Sequence, residues 1–398
     1  MQHRIIVLGA GYSGAIAAGR LAKRLRREDV AITLVNAEPD FVERVRMHQL
    51  AVGQDLRPRP LREMFTDTGV ELKLAKVTSI DVDLKTVAVE SAEGTAELPY
   101  DTLVYALGSA GNDHGVPGVT EHAHQIASRP GALRLRERLS RLAEGETVLV
   151  VGGGLTGLEF ATELAEARPD LDVTLATRAE PGDWLSPKGR AYLRKVIGRL
   201  GITVHENATV TAVEADQVTT ADGRVLPAAV TVWTTGFAVH PLTAGTGLEL
   251  ADTGRIVVDA TMRSTSHPDV YAIGDAGHAL GAGDKPLRMS CASGTPMAWQ
   301  AADSIAARLT DGKLPHAPLR YFNQCISLGR QAGLIQFVTA DDRAVDHALT
   351  GRFAARYKEL ICKGAAWGVA NPTMGIPVRR RAATIRVATE GTAPVARR

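Results

Sequence analysis

Apolar positions in the first 110 residues fall into short runs of two kinds. Residues 4–8 are a continuous β-branched run, residues 13–25 carry apolar side chains at helical spacing, and residues 31–36 form a second continuous run. That order reads as strand, helix, strand, with both strands buried on two faces. Three shorter segments, 77–82, 86–90 and 96–98, alternate apolar and polar residues and read as a β-meander. A run from Tyr100 to Ser109 then closes the half as a buried strand ending in Gly108. The same order returns later: strand 147–151, helix 155–167, strand 173–177, helix 187–200 and strand 203–206. A second meander passes through 218–220 and 225–226, and a closing strand, 229–235, ends at Gly236.

Each first strand runs straight into glycines. Gly9, Gly11 and Gly14 follow the first, and Gly152, Gly154 and Gly157 follow its repeat. In GxGxxG between a strand and a helix, the first glycine makes the tight turn. The second lets backbone approach a pyrophosphate, and the third lets helix pack on strand, while the helix N-terminus attracts the phosphates. Two such turns predict two dinucleotide sites. The predicted fold is α/β, with two Rossmann-like dinucleotide-binding domains, one inserted in the other, and a C-terminal α+β segment. The boundaries are 1–112 and 240–318 for the first domain, 113–239 for the inserted one and 319–398 for the remainder.

Length and composition agree with this. A chain of 398 residues, 45% hydrophobic, is too long for one ordinary domain. The first apolar run leads directly into the glycine turn, with no leader pattern and no apolar run of about 20 residues, so a cytoplasmic protein is expected. Cys291, Cys325 and Cys362 are widely spaced without a CxxC, so no disulfide framework and no metal site are expected. The near balance of 46 Lys and Arg against 44 Asp and Glu hides an asymmetry, because ten of the basic residues and only two Glu lie from Gly351 onward. A basic tail thus follows an acidic body. The tail is suited to a membrane, a partner or the protein's own body, and no nucleic-acid partner is expected.

Five landmarks, the two glycine turns, Gly108, Gly236 and the segment Asp269-Val270-Tyr271-Ala272-Ile273-Gly274-Asp275-Ala276, resemble the two-dinucleotide-binding-domain flavoprotein family over about residues 4–333. The resemblance implies FAD on the first turn and a nicotinamide nucleotide on the second. It assigns Asp275 to the ribityl chain of the flavin, with Gly274 beside it. The ribose carboxylate expected after the second strand is Glu38, with Asn36 at the strand end as the other candidate. The redox-disulfide branch places a CxxxxC pair near residues 41–50, where this chain has no cysteine. No cysteine precedes Cys291, which also departs from sulfide:quinone oxidoreductases, and the FxGxxxH of twin-Rossmann monooxygenases is missing. The chain therefore looks like the type II NADH dehydrogenase and apoptosis-inducing-factor branch.

That branch implies further roles. Glu159 matches a glutamate near the nicotinamide, and His48 lies in the stretch passing the flavin ring, where it is a candidate proton donor at neutral pH. Glu163, one turn beyond Glu159, is expected to face solvent or an interface. Arg178 stands where NADH enzymes carry an acid, which favours the 2′-phosphate of NADPH and leaves NADH as the other option. Cys291, Trp299 and Gln300 are expected to line the acceptor pocket, in a helix starting near Pro296. Residues 351–370 place Phe353, Tyr357, Leu360, Ile361 and Trp367 on one helical face, with Arg352, Arg356, Glu359 and Lys363 on another. This helix is open to peripheral contact with the inner membrane face, to docking on the protein's own core or to a second copy in a homodimer. Residues 390–398 read as disordered.

The implied function is an FAD-dependent NAD(P)H:acceptor oxidoreductase. Hydride passes from the nicotinamide to flavin N5, and electrons pass on to a quinone or quinone-like small molecule. Two alternatives stand beside it, a flavin reductase of a specialised biosynthetic pathway and an NAD(P)H-sensing flavoprotein that controls partner binding.

Overall fold

Val7 and Leu8 are fully buried at the centre of a five-stranded sheet. In the computed structural model, which describes residues 2–316 and 318–384, His3–Leu8 pairs in parallel with Val30–Asn36 on one side and Thr102–Tyr105 on the other. Val70–Leu74 and Val270–Ala272 form the edges. Side chains buried on both faces explain the continuous apolar runs of the inner strands. Helix α1 (Tyr12–Arg24) leaves the glycine turn, and α2 (Met47–Ala51) lies farther along the chain.

A second five-stranded parallel sheet repeats the plan around Thr147–Val151, with Asp172–Ala176 and Val230–Trp233 as its neighbours. Helix α3 (Leu155–Ala167) leaves its glycine turn, and α4 (Pro187–Arg199) follows. Each unit carries a three-stranded antiparallel sheet in addition, Lys76–Pro99 in the first and Val210–Pro227 in the second. The chain leaves the first sheet after Thr102–Tyr105, builds the second, and returns to add Val270–Ala272 to the first.

Helix α5 (Cys291–Leu309) packs along α1 and begins five residues earlier than the proline suggests. Its first turn closes when Gly294 donates to the Ser290 carbonyl. Pro296 therefore removes only the bond its own N–H would have made to Ala292, whose residue is exposed and open to water.

Three antiparallel strands, Asn323–Ser327, Gly333–Val338 and Ala344–Thr350, lead into α6 (Gly351–Ala370). The inner face of α6 is a ladder of residues four apart, Ala354, Lys358, Cys362 and Ala366. Small residues bring it close to the sheet: a Cβ on Gly333 would lie 2.5 Å from the Ala355 nitrogen. The large apolar residues point away, with Phe353 and Leu360 each 65% exposed, Trp367 47% and Ile361 42%. The stripe that sequence spacing groups together is therefore the outer face, not the docking face. Residues 390–398 lie outside the described residues.

Candidate functional site

The three glycines of each turn meet different surroundings. A Cβ on Gly9 would lie 2.5 Å from the Ala106 carbonyl oxygen, and one on Gly14 would lie 1.9 Å from the Gly9 oxygen. Gly11, between them, faces nothing within 4 Å. The second turn repeats this: a Cβ on Gly152 would press on Thr234, one on Gly157 on the Gly152 oxygen, and one on Gly154 would meet nothing. The outer glycines are thus required by the protein's own packing, whereas the middle ones leave open space. Gly11 and Gly154 are also the N-caps of α1 and α3, with no side-chain cap and no acidic residue in the first turn. Uncapped N–H groups facing open space fit an anionic diphosphate.

Past the strand ends, Asn36 and Glu38 take different positions. Asn36 Oδ1 accepts from the Ala10 N–H at 2.8 Å and its Nδ2 donates to the Glu38 carbonyl at 2.7 Å. The amide thus braces the glycine turn, and the Glu38 side chain is left exposed. In the second unit Arg178 is exposed, and Glu180, two residues on, has its carboxylate turned to Arg190 and Arg194 of α4.

Asp275 is held in a small polar cluster. Ser109 Oγ donates to it at 2.6 Å, and Arg44 Nη1 lies 3.3 Å away while donating to the Ser109 carbonyl at 2.9 Å. The Arg44 guanidinium stacks over Phe237, 4.7 Å from its ring centre. Gly108 and Gly274, both with positive φ, flank these residues in sequence. Any Cβ on Gly274 would strike Ser13 Oγ at 2.7 Å, and one on Gly294 would strike the same atom at 2.4 Å. The starts of α1 and α5 are therefore pressed together beside Asp275. Gly236, with φ +132°, follows the closing strand of the second sheet.

A second cluster is buried where α2, α3 and α6 approach the Asn323–Ser327 strand. Glu159 Oε1 accepts from the Ser327 N–H at 2.9 Å and lies 3.0 Å from Lys358 Nζ. Lys358 also donates to the Cys325 carbonyl at 3.0 Å. Burial pulls its ammonium down, but the Glu159 carboxylate outweighs that and the net shift is upward, so the charge is fixed at neutral pH. His48 is 5% exposed, and its Nε2 has no hydrogen-bond partner. Burial lowers it to about 4, against the pull of Glu159. It is therefore uncharged at neutral pH and carries only the single N–H of a neutral imidazole, whereas the expected proton-donor role calls on the imidazolium form.

Glu163 also departs from expectation. It is 1% exposed and pairs with Arg330 at 2.7 Å and with Gln54. Glu159, Glu163 and Glu166 lie at i, i+4 and i+7 of α3, and all three receive groups from residues 327–330. Cys291 opens α5, half-buried, with a thiol that burial pushes up. Burial also raises Cys325, to about 11, and Cys362, so none of the three is a ready thiolate.

Trp299 and Gln300 are not brought to this region. Two turns into α5, Trp299 lies 5.8 Å from the Arg20 guanidinium, and the buried Gln300 donates to the Ala260 and Pro315 carbonyls. That amide supports packing between loops, which corrects the expectation of an acceptor contact. Residues that the sequence reading missed are Arg44, Ser109 and Lys358. The signal for Lys358 was available, since it is the one charged residue on the small-residue face of α6.

A model of the pyridine nucleotide-disulphide oxidoreductase family matches residues 3–306. The NADH dehydrogenase-like protein MT1860 of Mycobacterium tuberculosis is 29% identical over 347 residues, covering 82% of this chain and 86% of that protein. The demethylphylloquinone reductase NdbB of Synechocystis is 26% identical over 350 residues, covering 83% and 86%. Among solved structures, NDH2 from Plasmodium falciparum in complex with NADH superposes with a TM-score of 0.77 at 14% identity, over 95% of this chain and 99% of that one.

Proposed function

Since the chain belongs to the pyridine nucleotide-disulphide oxidoreductase family, we propose that it is an FAD-dependent NAD(P)H:acceptor oxidoreductase that reduces a quinone or quinone-like small molecule. The observation that carries this reading is the pair of glycine turns whose middle glycines alone face open space. The names of the relatives, NADH dehydrogenase-like protein and demethylphylloquinone reductase, support the same chemistry.

The domains follow the sequence boundaries, 1–112 with 240–318 for FAD, 113–239 for NAD(P)H and 319–398 for the remainder. Gly9, Gly11 and Gly14 take the FAD diphosphate, and Glu38 takes its ribose while Asn36 holds the turn. Asp275, kept in place by Ser109 and Arg44, meets the ribityl chain between Gly108 and Gly274. Gly152, Gly154 and Gly157 take the nicotinamide nucleotide, with Gly236 at the neighbouring strand end. Arg178 meets the 2′-phosphate of NADPH, and the engagement of Glu180 by two arginines removes the nearest repulsive carboxylate.

When bound, the flavin accepts hydride from the nicotinamide and passes two electrons to the acceptor. The chain's own contribution is to hold the two ligands against each other and keep water out. Lys358 supplies a fixed positive charge and, with the Ser327 N–H, holds the Glu159 carboxylate in place, while neutral His48 leaves that arrangement undisturbed. The exposed stripe of α6, followed in sequence by Arg379, Arg380 and Arg381, is suited to rest on an anionic lipid surface. No helix among the described residues is long and apolar enough to cross a membrane.

The test is anaerobic stopped-flow reduction of the bound flavin by NADPH and by NADH, followed by mixing with a soluble quinone. Rapid bleaching and rapid recovery of flavin absorbance are expected. Reduction by neither nucleotide would overturn the reading.

A further inference from the structure

Arg255 lies just ahead of strand Ile256–Val257 and is 5% exposed. A guanidinium keeps its charge throughout the working pH range, and a charge this deep in a protein is normally matched by a carboxylate. Among the described residues its bonds go to uncharged oxygens instead. Nη1 donates to the Leu287 carbonyl at 3.0 Å and Nη2 to the Gly277 carbonyl, while Nε meets no acceptor. The side chain is pinned in place, and its charge is not neutralised. The two carbonyls show what it holds: Gly277 ends the short turn Gly274–Ala276 that carries Asp275, and Leu287 comes three residues before Ser290, the N-cap of α5. Arg255 thus braces the Asp275 turn against the approach to α5. The turn is tightly fitted there, since a Cβ on Gly277 would lie 2.6 Å from the Ala272 carbonyl oxygen.

The charged groups around Arg255 leave a surplus. Asp275 is the carboxylate whose field reaches it, and that carboxylate is already engaged by Arg44 at 3.3 Å and by Ser109 Oγ at 2.6 Å. Tyr321, the other group that acts on Arg255, has its hydroxyl committed to the Arg288 N–H and to Ser293. Arg288 is matched by Asp342, Lys285 by Asp341 and Lys358 by Glu159. His278, on the strand paired with Ile256–Val257, is lowered by burial and by Arg255 and is uncharged at neutral pH, and Asp252 beyond it is exposed to solvent. Two guanidiniums, Arg44 and Arg255, therefore share the single carboxylate of Asp275, which leaves one positive charge over, and Arg255 is the one that the protein covers almost completely.

We propose that Arg255 is a positioning residue for the flavin site, which fixes the Asp275 turn and keeps beside it a buried positive charge that favours the reduced over the oxidised flavin. The proposal rests on the reading of an FAD site at Asp275 and adds to it a residue that sets the electron affinity of that site. The charge balance gives its direction. A hydride brings two electrons and one proton, so the reduced flavin carries one more negative charge than the oxidised form until it takes a second proton from solvent. An unmatched cation held in a poorly polarisable surrounding lowers the energy of that extra charge. Covered by protein, Arg255 acts through its field and through the turn it braces, and no proton passes through it.

The test equilibrates the FAD-loaded full chain with redox dyes, using dithionite as reductant, for wild type, Arg255→Gln and Arg255→Lys. Glutamine can still donate to a carbonyl but carries no charge, whereas lysine keeps the charge. The two-electron potential of Arg255→Gln is expected about 30 mV below that of wild type, which corresponds to a tenfold loss of preference for the reduced form, and lysine should recover most of the difference. Weaker FAD binding or a lower unfolding midpoint with an unchanged potential would make Arg255 a packing residue or a partner of the diphosphate and overturn the proposal. Equal shifts in the glutamine and lysine variants would do the same. Should the variants fail to fold, wild type alone decides: its potential should fall by about 30 mV per pH unit, one proton for two electrons, down to a lower pH than that of free FAD in the same buffers. Twice that slope where free FAD shows the single one would overturn the proposal. Dye equilibration uses neither nucleotide nor quinone, so it decides on Arg255 even where NADPH and NADH leave the flavin oxidised and the oxidoreductase reading fails. A chain that takes up no FAD would overturn both.

Discussion

Lys358 Nζ lies 3.0 Å from Glu159 Oε1, and this contact ties the last described helix to the helix that leaves the second glycine turn. Both side chains are largely buried, 15% and 8% exposed. Removing one partner of such a pair leaves an uncompensated charge, at a cost of about 3–5 kcal/mol, whereas replacing both is much milder. Lys358→Met is therefore expected to destabilise the protein by about that amount, and Lys358→Met with Glu159→Gln to recover most of it. Urea unfolding of the four members of the cycle measures this. Additive losses would show that the two groups do not act as a pair.

His48 makes stability depend on pH in a defined direction. Its folded value is lowered to about 4 from 6.5, so between those values the unfolded chain binds a proton that the folded chain refuses. The contribution is present above pH 6.5 and is lost as pH falls toward 4, by at most about 3 kcal/mol. The difference in unfolding free energy between wild type and His48→Gln should therefore change between pH 7 and pH 4.5, with wild type losing more. A difference that is flat across this range would mean that His48 titrates normally.

Glycines of one turn should respond differently to the same substitution. A Cβ at position 14 would stand 1.9 Å from the Gly9 oxygen, so Gly14→Ala is expected to prevent folding or shift the helix. A Cβ at position 11 meets nothing, and the φ there is −69°, which alanine adopts freely. Gly11→Ala should fold as well as wild type yet purify with much less flavin, because the methyl occupies the ligand's space. Circular dichroism and the flavin-to-protein absorbance ratio separate the two effects. Full flavin content in Gly11→Ala would remove the diphosphate from that turn.

How far the sequence carried the reading follows from the range of the forces involved. The paired turns and both parallel sheets were legible because glycine spacing and β-branched runs are local signals. The bounds of strand Thr147–Val151 and helix Leu155–Ala167 agree with the expectation at both ends. The Glu159 cluster was half legible: the carboxylate stood out beside its glycine, but its partner lies 199 positions away on α6, a separation that no periodicity reports. Gln300 misled for the related reason that a buried amide reads the same in sequence whether it meets a ligand or two loop carbonyls. The α6 stripe misled through size, since large apolar residues suggest a core and here the small face makes the contact.

Arg178 sets a prediction about nucleotide choice. It is exposed, and the nearby Glu180 is engaged by Arg190 and Arg194. A charged hydrogen bond to a 2′-phosphate contributes about 1.5–3 kcal/mol, so Arg178→Ala should lower kcat/KM for NADPH by about ten- to a hundredfold and leave NADH nearly unaffected. Equal effects on the two nucleotides would show that Arg178 does not meet the 2′-phosphate.

The outward face of α6 leads to a prediction about lipid. Phe353, Leu360, Ile361 and Trp367 stand exposed on one helix, and burying a side chain of this kind yields about 1.5–3 kcal/mol. Two or three of them entering a lipid interface would hold the protein there, with Arg379, Arg380 and Arg381 adding attraction to anionic headgroups. The chain is therefore expected to sediment with phosphatidylglycerol vesicles at low salt, less with phosphatidylcholine vesicles, and less again in a Leu360→Ser, Trp367→Ser variant. Leu360 is 65% and Trp367 47% exposed, so the variant should stay close to the wild-type unfolding midpoint, and lost binding would report the surface and not the fold. Failure of the wild-type chain to sediment with either vesicle would leave the stripe to a protein partner. Equal sedimentation of wild type and variant would place the lipid contact on another face of the molecule.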